Sequence, residues 1–178
     1  IQLYTQSRHV STLFIGGGGF VFPRWIESRF PGQPHIDVAE IDPAVKLAVQ
    51  KELGLADDGE TAVQTHIGDA RKFVDDRLRA NRKATGGASN GQVRYDFVYG
   101  DAFNDFSVPW HLTTREFTEK IRELIDPAHG IFLVNIIDIY PRAESDNLND
   151  IPPALMPPVL LPNAWAAALG EFSDIEVY

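Results

Sequence analysis

The sequence predicts a single α/β domain, with a mostly parallel, twisted sheet and helices on both faces. First, an apolar run at residues 13–15 stops on four consecutive glycines, and a helical pattern follows. Second, the next predicted strand ends on an acidic residue, Glu40. Third, strand and helix patterns alternate five times at short spacing, which favours parallel strands joined by right-handed crossovers.

Short apolar runs predict the strands, and helical spacing with end signals predicts the helices. Pro23 fits the first turn of the first helix. Asp42 and Pro43 are typical of an N-cap and a first helical position, and Gly54 predicts the end of that helix. Thr113 or Thr114 caps the fourth helix. The predicted strands are 10–15, 36–39, 62–67, 95–99 and 131–136, and the predicted helices are 20–30, 42–53, 70–79 and 113–125.

The C-terminal part of the chain has a weaker pattern. Six prolines in residues 141–163 exclude long regular elements there, so we expect an irregular segment over 139–163. We expect one more helix at 163–172 and a last strand at 175–178, and a seven-element Rossmann-like sheet that is incomplete at its C-terminal edge. Residues 84–92 predict a surface loop. The single predicted domain covers residues 1–178.

Composition excludes several classes of function. The chain of 178 residues has no cysteine, and its five histidines lack metal-ligand spacing, so we expect no metal site. A net charge of −9 disfavours nucleic acid as a partner. There is no apolar run of about 20 residues and no signal peptide, so we expect a soluble, cytoplasmic protein without direct membrane contact.

Candidate ligand-binding residues lie where predicted strands end, the edge at which open α/β sheets bind ligands. The glycine turn lets backbone approach a ligand closely, and Glu40 is placed to accept hydrogen bonds from ribose hydroxyls. Asp69 either caps the next helix or contacts an adenine edge. Asp101 either caps a turn or holds a substrate amine and takes its proton.

Six segments in order resemble the aminopropyltransferase family, the spermidine synthases, within the Rossmann-like methyltransferase fold. The resemblance covers residues 10–137 and is closest to bacterial spermidine synthase-like proteins. The segments are LFIGGGGF (13–20), VAEIDPAV (38–45), HIGDARKFV (66–74), YDFVYGDAFND (95–105), HLTTREF (111–117) and GIFLVNI (130–136).

The resemblance implies a co-substrate, decarboxylated S-adenosylmethionine or S-adenosylmethionine, and an amine acceptor such as putrescine. Asp101 would position and deprotonate the amine, whose nitrogen then attacks the aminopropyl carbon while methylthioadenosine leaves. A homodimer is also expected. The implied nucleoside contacts are Gly16, Gly17, Gly18, Gly19, Glu40, Ile41, Asp69, Ala70 and Asp101.

Three departures from the family pattern concern the amine half of the site. Gly19 stands where the family loop usually has an aspartate that holds the aminopropyl end, and Phe20 follows it. A second family acid is matched by Asn104, with Asp105 adjacent; both are candidate substrate contacts. The family's N-terminal β-hairpin domain has no counterpart before Ile1, and because the chain does not begin with Met we expect further sequence upstream.

Other functions remain open at the level of sequence. The same fold and nucleoside contacts serve methyltransferases that use S-adenosylmethionine. A non-catalytic nucleoside-binding domain is a third hypothesis. A nicotinamide dehydrogenase is disfavoured because Val21 stands where the GxGxxG pattern needs a small residue.

Overall fold

The computed structural model describes residues 9–30, 34–84, 92–104 and 108–135. Five parallel strands form one sheet in the order β3-β2-β1-β4-β5, with helices in the connections. This confirms the predicted α/β fold class. The elements are β1 (Ser11–Ile15), α1 (Val21–Arg29), β2 (His35–Glu40), α2 (Pro43–Leu53), β3 (Val63–Ile67), α3 (Ala70–Ala84), β4 (Phe97–Gly100), a 3-10 helix (Trp110–Leu112), α4 (Arg115–Leu124) and β5 (Ile131–Val134).

Two hydrophobic cores lie on opposite faces of the sheet. Alternate residues of β1 point to opposite sides, so Leu13 and Ile15 belong to one core and Phe14 to the other. The first core includes residues of α3 and α4, and the second includes residues of α1 and α2. Because β1 lies between β2 and β4, the chain reverses direction across the sheet there, and this switch point is where such folds bind ligands.

The predicted helix signals at α2 and α4 are confirmed. The side chain of Asp42 accepts a hydrogen bond from the Ala44 amide at 2.8 Å, and Gly54 ends α2 in the left-handed conformation (φ 69°). Thr114, rather than Thr113, caps α4 by accepting from the Phe117 amide at 3.2 Å.

Some predicted boundaries are wrong. Helix α3 runs to Ala84 instead of residue 79, because its buried face continues to Asn81, which exchanges hydrogen bonds with the Val93 backbone at 2.8 and 2.9 Å. Strand β4 begins at Phe97 rather than residue 95, because Tyr95 pairs outside the sheet in an isolated bridge to Ile125.

Predictions that fall on residues 136–178 lie outside the described residues, among them the Pro-rich segment, the last helix and the last strand of the seven-element sheet. The predicted loop at 84–92 is likewise outside, apart from its first and last residues. Within the described ranges, no helix combines the length and the apolar composition needed to cross a membrane.

Candidate functional site

The glycine turn after β1 is packed too tightly for side chains at two of its positions. A Cβ atom at Gly16 would lie 2.8 Å from the carbonyl oxygen of Asp101, and Gly16 has φ 94°. A Cβ atom at Gly17 would clash with the ring of Phe20 and lie 3.1 Å from Oε2 of Glu40. Glycine is therefore needed at these two positions because a side chain would not fit.

The other two glycines differ from each other. Gly18 has open space around it but adopts φ 48°, which favours glycine. Gly19 has no positive φ, and a Cβ atom there would make only ordinary contacts, at 3.5 Å to Val21 and 3.8 Å to Leu53. A side chain therefore fits at position 19 without strain.

Glu40, at the end of β2, supports the turn from the neighbouring strand. Its Oε2 accepts from the Gly17 amide and its Oε1 from the Asp42 amide, both at 2.8 Å. The residue is only 6% exposed. Each carboxylate oxygen has a second lone pair, so both keep the capacity to accept a ligand hydroxyl. Ile41 follows on the surface and is well exposed.

Asp101 lies directly after β4, beside the glycine turn. Its amide donates to the Ile15 carbonyl at 2.9 Å, and its Oδ1 accepts from Nδ2 of Asn135 at 2.8 Å. The Asp101 side chain is exposed, so an incoming group can reach it. Asn135 follows β5, and the rule that polar residues at strand ends form sites could have found it from the sequence.

A cleft of about 440 Å³ opens between the glycine turn and the ends of β4 and β5. The four glycines, Asp101 and Asn135 line it. Apolar side chains line it as well, among them Phe14, Phe22, Tyr99 and Leu133. Burial raises the pKa of Tyr99 to about 12. Among the described residues, the Tyr99 hydroxyl has no hydrogen-bond partner.

Asp69 lies away from this cleft, before α3. Its Oδ1 accepts from the Lys72 amide at 2.8 Å, which is an N-cap bond, and its Oδ2 lies 2.9 Å from Nε2 of His111. Asp69 also lines a second cleft of about 380 Å³ beside β3 and α3. Ala70, the first residue of α3, is buried in the core. The capping alternative therefore holds for Asp69, and its contact with adenine stays a prediction.

The remaining candidates are placed as follows. Asn104 is described and has interactions of its own, whereas Asp105 lies outside the described residues. In the described ranges, no group of three or more histidine, aspartate or glutamate side chains is arranged to hold a metal ion. The sequence did not point to the Asp69–His111 contact, because it joins residues 42 positions apart in the chain, one directly before α3 and the other in the 3-10 helix.

Comparison with known proteins gives the family context. No model of a known protein family matches the chain. Among curated proteins, the polyamine aminopropyltransferase of Vibrio vulnificus (strain CMCP6) is 35% identical over 123 residues, which are 69% of this chain and 36% of that protein. The chain is related to the polyamine aminopropyltransferases. This confirms the resemblance, and the chain spans little more than a third of this aminopropyltransferase's length.

Two solved structures have a fold similar to that of this chain. Human methyltransferase-like protein 13, solved in complex with SAH, matches with a TM-score of 0.62 and 21% identity over 92% of this chain and 63% of its own. A probable spermidine synthase from Corynebacterium glutamicum matches with a TM-score of 0.59 and 19% identity, over 76% of this chain and 43% of its own. Both confirm the predicted Rossmann-like α/β fold.

Proposed function

We propose that this chain contributes the nucleoside site and the proton acceptor of an aminopropyltransferase, which transfers an aminopropyl group from decarboxylated S-adenosylmethionine to an amine. The relationship to a polyamine aminopropyltransferase supports the reaction class. The observation that carries the proposal is local: Asp101 and the glycine turn line one cleft, at the switch point of the sheet.

The nucleoside half of the site rests on Glu40 and the glycine turn. Glu40 is fixed by two backbone amides, so its carboxylate is oriented before a ligand arrives. Two ribose hydroxyls donating to a carboxylate form charge-assisted hydrogen bonds, which are stronger than neutral ones. A nucleoside sulfonium is a cation, and the carboxylate of Asp101 at this edge favours it electrostatically.

The transfer half rests on Asp101. The acceptor arrives as an ammonium ion, and Asp101 takes one of its protons. The freed nitrogen lone pair forms a bond to the aminopropyl carbon next to the sulfonium, the carbon–sulfur bond breaks, and sulfur keeps the electron pair as methylthioadenosine. Asn135 holds Oδ1 of Asp101 and leaves Oδ2 for the amine.

A second candidate is methyl transfer from S-adenosylmethionine. Gly19 is the observation that favours it, since no carboxylate stands there to select the ammonium end of the decarboxylated co-substrate. The two functions share the nucleoside contacts and differ in the group that is transferred.

One experiment separates the two candidates. The full-length protein is incubated with each co-substrate and a panel of amines, and the products are followed by mass spectrometry. Release of methylthioadenosine together with an amine heavier by an aminopropyl group would support the proposal. S-adenosylhomocysteine with a methylated product would replace it by methyl transfer. Binding of nucleoside with neither product would establish a non-catalytic domain.

A further inference from the structure

We propose that the acceptor is a primary amine with an apolar, preferably aromatic, carbon body, whose ammonium contacts Asp101 while its body enters the cleft below the glycine turn. This rests on the proposed function and specifies its substrate class. It departs from a short diamine such as putrescine, which the family resemblance implies.

The walls of the cleft are aromatic. Phe14 and Tyr99 stack with ring centroids 4.8 Å apart and an interplanar angle of 11°. Phe22 meets the Tyr99 ring edge-on at 4.7 Å. Leu133 adds an aliphatic wall and is 46% exposed. Such a lining gains free energy by burying apolar carbon, and aromatic rings pack well on it.

The charge distribution fits one ammonium group. Among the described residues that line the cleft, Asp101 is the one carboxylate. A monoamine would place its ammonium there and bury an uncharged body. A diamine would carry its second ammonium into the aromatic part, where desolvation is costly without a charged partner.

Tyr99 offers a specific contact inside the cleft. The residue is 6% exposed, and its hydroxyl has no partner among the described residues. A tyrosine hydroxyl is neutral at physiological pH and can both donate and accept a hydrogen bond. The proposed contact requires Phe22, which packs edge-on against the Tyr99 ring and is itself 38% exposed, to shift and admit a polar group at the far end of the ligand.

The first test compares three amines by titration calorimetry on the full-length protein saturated with methylthioadenosine: 2-phenylethylamine, tyramine and putrescine. We expect 2-phenylethylamine to bind at least about tenfold tighter than putrescine, on the scale of burying an aromatic side chain. Equal affinities, or tighter binding of putrescine, would overturn the proposal.

Turnover is measured in parallel. The result then distinguishes a failure of the proposed transfer reaction from a failure of the proposed acceptor class. Turnover with putrescine, combined with no binding of 2-phenylethylamine, would remove the aromatic acceptor and keep the transferase. The expected affinity order without turnover for any amine would keep the amine cleft and remove the transfer reaction.

Two variants locate the binding to this cleft. Phe22→Ala should weaken 2-phenylethylamine binding about tenfold, whereas Leu47→Ala, at a 66% exposed position on α2, should leave it unchanged. Tyr99→Phe should abolish any preference for tyramine over 2-phenylethylamine while the protein stays folded by circular dichroism. Equal effects of Phe22→Ala and Leu47→Ala, or a tyramine preference that survives Tyr99→Phe, would contradict the assignment.

Discussion

At the scale of single residues, Glu40 has two roles that one substitution can separate only in part. It orders the glycine turn through the Gly17 amide, and we propose that it accepts the ribose hydroxyls. Glu40→Ala should therefore weaken nucleoside binding by about 2–3 kcal/mol, the scale of lost hydrogen bonds to a charged group. Titration calorimetry with methylthioadenosine measures this, and an unchanged affinity would contradict the assignment.

Thermal unfolding of the same variant measures its structural role. Glu40 is nearly buried, so the Gly17 and Asp42 amides lose their acceptors in the alanine variant. Glu40→Gln is the matched control, because its amide oxygen can still accept one of these bonds. If the glutamine variant recovered stability but not affinity, the negative charge would be the feature that the nucleoside needs.

Gly19 is the residue where the family pattern can be restored. A Cβ atom fits there at ordinary contact distances, so Gly19→Asp should fold with little loss of stability. The added carboxylate would attract the terminal ammonium of the decarboxylated co-substrate and repel the carboxylate of S-adenosylmethionine. We expect the affinity ratio of the two to shift towards the decarboxylated form by about tenfold, on the scale of one charge pair near a protein surface.

The control for that variant lies one residue earlier. Gly18→Asp places the same charge in open space, but at φ 48°, where a side chain is strained. It should destabilise the fold, as measured by urea denaturation, more than Gly19→Asp does. An unchanged affinity ratio in a stable Gly19→Asp variant would show that another group selects the co-substrate.

At the scale of elements, a buried carboxylate joins two strands, a helix and the segment before β4. Asp37 of β2 is fully buried and faces four donors on the sheet face covered by α3. His66 of β3 lies 2.6 Å from Oδ1, and His35, Arg77 of α3 and Tyr95 lie 2.6–2.8 Å from Oδ2. This network fixes α3 on the sheet and so fixes Asp69 at its start.

Asp37→Asn should destabilise the protein by about 3–5 kcal/mol, because it leaves Arg77 without its buried counter-charge. The matched control is Asp76→Asn on the solvent side of α3, whose exposed pairs with Lys72 and Arg79 should contribute little. Urea denaturation at neutral pH measures both. Similar small losses for the two variants would contradict a structural role of the network.

The pH dependence of this loss follows from the shifted pKa of Asp37. Burial alone would raise that pKa, but hydrogen bonds from His35, His66 and Tyr95 and the charge of Arg77 hold it well below its usual range. The stabilisation is therefore present above the ordinary carboxyl pKa and is lost as the pH falls below it towards the lowered value. The difference in unfolding free energy between wild type and Asp37→Asn should therefore shrink as the pH falls below about 4.

The sequence predicted the elements better than their ends or their contacts. The two ends of α2 were predictable because the capping residues Asp42 and Gly54 depend only on local backbone geometry. The end of α3 depends instead on the bonds from Asn81 to Val93, a contact made only after folding. In the candidate site, the glycines and the acids at strand ends were visible in the sequence as a pattern. The hydrogen bond from Asn135 to Asp101 and the place of Tyr99 in the cleft depend instead on packing between strands that are distant in the chain.

At the scale of the whole molecule, the parallel sheet gathers residues far apart in the chain at one edge. Gly16 follows β1, Asp101 follows β4 and Asn135 follows β5, and all three line one cleft. Backbone bonds between the strand ends hold this edge together, from Gly16 to Ala39 and from Asp101 to Ile15, both at 2.9 Å. The site is thus a product of topology, while its chemistry depends on a few side chains.

The central claim is that Asp101 takes the proton of an amine while the nucleoside is held elsewhere, and Asp101→Asn tests it most directly. The asparagine keeps the shape and can still accept from Asn135, but it cannot act as a base. In the full-length protein, we expect methylthioadenosine release to fall about 10²- to 10⁴-fold, while the affinity for methylthioadenosine, which carries no sulfonium charge, stays nearly unchanged. Asp58→Asn, a substitution of an exposed carboxylate that pairs with Lys46, should change neither quantity. Full turnover in Asp101→Asn, or loss of nucleoside binding equal to the loss of rate, would contradict the account.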